Sequence, residues 1–151
     1  MRYLPLLAVG ALLACGCGTA AGGDPGDKRL RELGNDHVFE ALPTGATSPA
    51  LTQARAWYAQ PSFDSGGWHG PSVVSTFGWS GPPRSVFRFF ARRAADAGWR
   101  ATGAGAFRAT DRWAKTYPDG AAATLLLTAS PISHNAGTHT YSLSGSISLP
   151  Q

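Results

Sequence analysis

Three short stretches hold the residue types that chemistry needs. "LLACGCG", residues 12 to 18, contains both cysteines of the chain, Cys15 and Cys17, with one residue between them. "FDSGGW", residues 63 to 68, sets an acid and a hydroxyl side by side as Asp64 and Ser65, ahead of two glycines. "HNAGTH" places four residues between His134 and His139. A structural zinc site takes about four ligands, and no cysteine follows residue 17. A C-x-C disulfide closes a small, strained ring, whereas redox pairs use C-x-x-C. Helical zinc motifs use two histidines at i, i+4 with a glutamate between them, and "HNAGTH" has neither feature. No metal and no cofactor is expected, and the other histidines, His37 and His69, read as loop or surface residues.

Nucleophilic chemistry is thinly supported. Asp64-Ser65-Gly66-Gly67 resembles the stretch around the nucleophile of chymotrypsin-like proteases, with Phe63 where a glycine is usual. That fold needs two barrels, for which 151 residues are too few. No G-x-S-x-G elbow and no S-x-x-K is present. Nothing in the sequence pairs Ser65 with His37 as its base. "TGAGAF", 102 to 107, lacks the lysine and the strand-turn-helix setting of a phosphate loop and reads as a bend in a strand. The carboxylates are scattered, and no shared element pairs two of them for acid–base work. No catalytic residue is assigned.

The cysteines make most sense as part of an address. In "MRYLPLLAVGALLAC", Arg2 is followed by an apolar run from Leu4 to Leu13, then by Ala14 and Cys15. A run of about 10 residues is half of the ~20 that span a bilayer as a helix, and suits the core of a secretory signal. Leu12-Leu13-Ala14-Cys15 resembles the lipobox of bacterial lipoproteins, with Leu13 a departure from the small or β-branched residue that is commoner there. The resemblance implies diacylglycerol on the Cys15 thiol and cleavage before it, and a thiolate is the soft nucleophile that thioether formation needs. Cys17 reads as part of the tether. Ordinary secretion, with Thr19-Ala20-Ala21 as the cleavage site, stays open as the rival.

Composition bounds the rest. The chain is 43% hydrophobic, 15% charged and 11% aromatic, which suits one globular domain. Of its 13 basic residues eleven are arginine, as a GC-rich genome would produce. The formal net charge is +4, or +3 without Arg2. That suits a neighbourhood of anionic lipid or cell-wall polymer and is too weak for a nucleic-acid partner.

The expected organisation is a signal peptide at 1–14, a lipidated cysteine and flexible tether at 15–26, and a single domain at 27–151. The tether, "GCGTAAGGDPG", has a random-coil reach of about 17–20 Å. Residues 27–34 read as a short helix, 41–49 as a loop, 51–59 as helix or strand, and 60–71 as a turn-rich connection. "SVVSTFGW" predicts a strand with Val73, Ser75, Phe77 and Trp79 on one face. "PPRSVFRFFARRAADAGW" predicts a long helix. Val86, Phe87, Phe90, Ala91, Ala94 and Ala97 form its apolar side, and Gly98 its stop. Strands follow at "WRATGAGAF", "DRWAKTY", "AAATLLLTA" and "THTYSLSGSISL", with a turn at "PDG". Leu125 to Leu127 are expected to be buried on both faces, and the serines of the last strand to face solvent or an edge. The fold class expected is α+β. It has an antiparallel sheet of about five strands in the order β-β-α-β-β-β, with one long helix packed on it.

On Arg84, Arg88 and Arg92, at i, i+4, i+8, with Arg93 beside them, rests a candidate anionic-surface contact. A solvated helix face is the plainer reading of the same residues. Trp68, among glycines and a histidine, is the candidate exposed aromatic, and the other tryptophans are expected largely in the core. Three features together, "LPTGA", "GWHGP" and "VFRFFARRAADAGW", resemble a broad group of uncharacterised actinobacterial lipoproteins and secreted proteins, over about residues 30 to 149. The resemblance implies an envelope location and a small α+β fold, and carries no reaction.

The function expected is that of a membrane-anchored envelope lipoprotein on the extracytoplasmic face, a non-enzymatic binding module. The alternatives are a small envelope hydrolase using Ser65 or a histidine, and a freely secreted binding protein.

Overall fold

A computed structural model describes residues 25–62, 65–104, 110–130 and 138–148, and only the backbone at 25, 58–62, 65–68 and 104. Cys15, Cys17, Asp64 and His134 lie outside the described residues, as do the side chains of Ser65 and Trp68. In chain order the elements are α1 (Pro25–Gly34), α2 (His37–Glu40), β1 (Thr47–Ala54), β2 (Trp57–Ser62), β3 (Ser65–His69), β4 (Ser72–Trp79), α3 (Pro83–Asp96), β5 (Arg100–Ala104), β6 (Thr110–Thr116), β7 (Ala122–Ser130) and β8 (His139–Ile147).

The α+β class expected from the sequence is found. The main sheet has six strands rather than about five, all antiparallel, in the order β1-β4-β8-β7-β6-β5. β2 and β3 form a second, two-stranded sheet where the sequence suggests a turn-rich connection. The last strand, β8, is inserted between β4 and β7, so its serine face is not an edge. β1 begins within the segment expected to be a loop.

α3 forms where its periodicity predicts. Pro83 occupies the first turn, where a missing N–H costs nothing. Gly98 takes φ +80° after the last turn, a conformation that a side chain resists. Val86, Phe90 and Ala94 are buried against the sheet, and the Phe77 ring lies between Phe90 and Tyr141 at 5.7 and 5.6 Å. α1 and α2 complete the same layer. Leu33, Val38 and Phe39 join Val73, Leu125, Leu127, Leu143 and Ile147 in one core. Gly145 lets α1 and α2 come close, since a Cβ there would meet Phe39 at 2.9 Å and Leu33 at 3.1 Å.

The helices thus cover one face of the sheet. On the opposite face Leu126 is only half-buried, so the expectation of burial on both sides of β7 does not hold. A row of hydroxyls crosses that face, with Thr76, Ser142, Thr128 and Thr110 as register partners on β4, β8, β7 and β6. Adjacent members of such a row are about 4.8 Å apart.

Candidate functional site

The densest group of polar side chains gathers where α1 turns into α2, beside the end of α3. Asp36 is the N-cap of α2, and its Oδ1 accepts the Val38 N–H at 3.1 Å. Trp99 Nε1 donates to both carboxylate oxygens at 3.2 Å. Lys115 Nζ, from β6, donates to Asp36 Oδ2 at 2.7 Å and to the Ala97 carbonyl at 2.8 Å. The Ala97 carbonyl lies at the C-terminal end of α3, where a cation is favoured. The Asp36 side chain is 3% exposed and that of Lys115 is 23% exposed.

Tyr117 continues the group. Lys115 Nζ and the Arg29 guanidinium each lie 5.4 Å from its ring centroid. Arg29 in turn pairs with Glu32 and Asp119. The Tyr117 hydroxyl is buried with no hydrogen-bond partner among the described residues. Burial first, then the negative charges of Asp36 and Glu32, pushes its pKa up to about 12, against the pull of Arg29.

This arrangement binds elements together more readily than it moves protons. Three donors hold the Asp36 carboxylate, with the single Trp99 N–H shared between its two oxygens. The phenol beside it is held protonated. An open groove of about 320 Å³ lies next to the group, lined by Gly98, Arg100, Thr102, Ala114, Lys115 and Thr116. Its ammonium group is the one already held by Asp36 and Ala97. Asp111 stands apart on β6, where burial pushes its carboxyl up. Among the described residues, no three His, Cys, Asp or Glu side chains gather as a metal ion would require.

Arg84, Arg88 and Arg92 are all exposed on the outer side of α3, and none has an ion pair among the described residues. Arg93 stands apart from them. Its guanidinium donates to the His37 carbonyl, lies 4.0 Å from Glu40 and covers the Phe89 ring at 5.8 Å. It is therefore engaged in joining α3 to α2. His37 Nδ1 is 2.7 Å from Glu40 Oε2.

The tryptophans divide. Trp99 and Trp113 are buried, and Trp79 packs on the core at its rim. Trp57, at the first position of β2, is 54% exposed and stacks on His69, with centroids 4.3 Å apart and planes 11° from parallel. Trp68 occupies the register position across from Tyr58 in the same ribbon. The sequence singles out Trp68; Trp57 is the tryptophan whose exposure the structure describes.

The ribbon that carries this pair is an extension of the main sheet. β1 and β4 stay in register to Ala54 and Ser72, and β2 and β3 resume it at Trp57 and His69. The ladder breaks between them, where the Pro71 carbonyl faces β8 and accepts the Ile147 N–H at 3.1 Å. Beyond that point, among the described residues, β2 and β3 pair only with each other. No helix of the described residues is long and apolar enough to cross a membrane. No protein-family model matches the chain, and no curated protein or solved structure matches it.

Proposed function

We propose that the protein is a cell-envelope lipoprotein, held to the extracytoplasmic face of the membrane by acyl chains on Cys15, and that its domain is a binding module rather than an enzyme. The anchor rests on the lipobox-like Leu12-Leu13-Ala14-Cys15 and on the resemblance to actinobacterial lipoproteins. The binding role rests on one observation: among the described residues, helices cover the six-stranded sheet on one face only. The other face carries rows of hydroxyls that suit an extended polar partner such as a wall polymer. Arg84, Arg88 and Arg92 add a positive strip suited to anionic headgroups or polymers.

Metabolic labelling with an alkyne fatty acid tests the anchor. Wild type takes the label and stays with membranes through a high-salt wash, and Cys15→Ser does neither. A wild type that is never labelled refutes the anchor. Labelling of Ser65 by an activity-based hydrolase probe refutes the non-enzymatic reading.

A further inference from the structure

We infer that the corner of the open sheet face around Ala114 is a phosphate site, and that this face takes a phosphodiester-linked polyol chain along the hydroxyl row leading from it. The inference rests on the open face being a binding surface, as proposed above, and names what that surface binds.

The strand pattern builds the site. Trp113 is buried beneath the helices, and Lys115 reaches Asp36 on the same side. Alternation therefore turns Arg112, Ala114 and Thr116 to the open face. Arg100 on β5 and Thr124 on β7 are the register partners of Ala114, one on each side, and partners share a face. Ala114 thus forms the floor of a depression. Arg100 and Thr124 stand about 5 Å away across the strands. Arg112 and Thr116 stand about 7 Å away along β6. The groove of about 320 Å³ opens here, with Arg100, Thr102, Ala114 and Thr116 in its wall.

Charge selects the ligand. Arg100 and Arg112 are exposed, and neither has an ion pair among the described residues. They are diagonal neighbours on adjacent strands, about 7–8 Å apart at their bases, so both guanidiniums can close on one anion. Like charges so placed repel each other, and an anion between them removes that repulsion. No carboxylate of these strands does so. β4, β5, β7 and β8 contain no Asp or Glu, and Asp111 of β6 shares the face of Trp113. The guanidinium fork matches the oxygens of a phosphate.

The row beyond selects the rest of the chain. From Ala114 the register runs through Thr124, Ser146 and Ser72, hydroxyls at steps of about 4.8 Å. Each hydroxyl both donates and accepts, which suits a succession of alcohols. Phe77, Trp79, Trp113 and Tyr141, the Phe, Trp and Tyr residues of these strands, belong to the helix-covered face. The open face therefore has no aromatic platform for a base or a sugar ring to stack on. An acyclic polyol phosphate needs none.

Isothermal titration calorimetry of the full chain in non-ionic detergent tests this. The ligands are a synthetic poly(glycerol phosphate) oligomer, uncharged polyglycerol of the same length, and inorganic phosphate. The phosphate polymer is expected to bind at least tenfold more tightly than polyglycerol, and more tightly per phosphate than inorganic phosphate. Arg100→Gln and Arg112→Gln are each expected to weaken it at least fivefold. Ala114→Glu, which places a carboxylate between the guanidiniums, is expected to abolish it. Unchanged thermal midpoints in the two arginine variants show that the fold is kept. Arg88→Gln, on α3, is expected to leave the affinity as it is. An equal loss in Arg88→Gln, or no loss in the Arg100 and Arg112 variants, overturns the phosphate site. Inorganic phosphate that binds as tightly as the polymer overturns the chain along the row. Both polymers binding alike, with loss only in Thr124→Ala/Ser146→Ala, overturns this inference and leaves the open face as a binding surface. Binding of neither polymer refutes that surface as well.

Discussion

Replacing Asp36 should be among the most damaging single changes in the domain. The carboxylate closes α2 through the Val38 N–H, holds the Trp99 indole and neutralises Lys115, all from a side chain 3% exposed. A lost N-cap costs about 1 kcal/mol, and a hydrogen bond to a charged group is worth about 1.5–3 kcal/mol. Breaking a buried ion pair from one side costs about 3–5 kcal/mol. These effects overlap, and Lys115 is exposed enough to recover some water. A net loss of about 3 kcal/mol is therefore expected for Asp36→Ala. For a domain of this size it lowers the melting temperature by about 10–15 °C. Urea unfolding followed by tryptophan emission reads it directly, because Trp99 sits on the carboxylate. The cycle of Asp36→Asn, Lys115→Met and the double variant Asp36→Asn/Lys115→Met is decisive. In Lys115→Met the buried carboxylate keeps two donors but loses its counter-charge. In the double variant neither side leaves an isolated charge, so its cost should fall well below the sum of the single changes. An Asp36→Ala cost under about 1 kcal/mol, or strict additivity in the cycle, refutes the account of this group as the clamp between α1–α2, α3 and the sheet.

Tyr117 supplies a pH dependence. Its folded-state pKa of about 12 lies above the ordinary 10, so the stability linked to its proton is full below pH 10 and is lost as pH rises through 12. Tyr117→Phe should leave neutral-pH stability within about 1 kcal/mol of wild type, since the hydroxyl it removes has no partner among the described residues. It should also reduce the loss between pH 10 and 12, measured by unfolding midpoints alongside tyrosinate absorbance. An unchanged alkaline loss in Tyr117→Phe would contradict this. Gly145→Ala should cost about 1–3 kcal/mol through overpacking against Phe39 and Leu33, read as a lower urea midpoint at constant slope. A neutral result would mean that α1 and α2 do not press on β8 as described.

The parts legible in the sequence are those whose signal is local. The long helix shows in its 3.6-residue period and in Pro83 and Gly98 at its ends. β4, β7 and β8 show in their alternation. The β2–β3 ribbon is hidden because Pro61, Gly66 and Gly67 are turn residues by local preference. Its register instead continues the β1–β4 ladder, from Ala54 opposite Ser72 to Trp57 opposite His69. The central place of β8 is likewise a pairing fact with no local mark. Asp36 carries a local signal, an N-cap residue ahead of "HVFE". Its partners Trp99 and Lys115 lie 63 and 79 residues away, and only the fold joins them. Charge spacing on α3 groups Arg93 with Arg92, yet neighbours on a helix lie about 100° apart, and that rotation turns Arg93 toward α2.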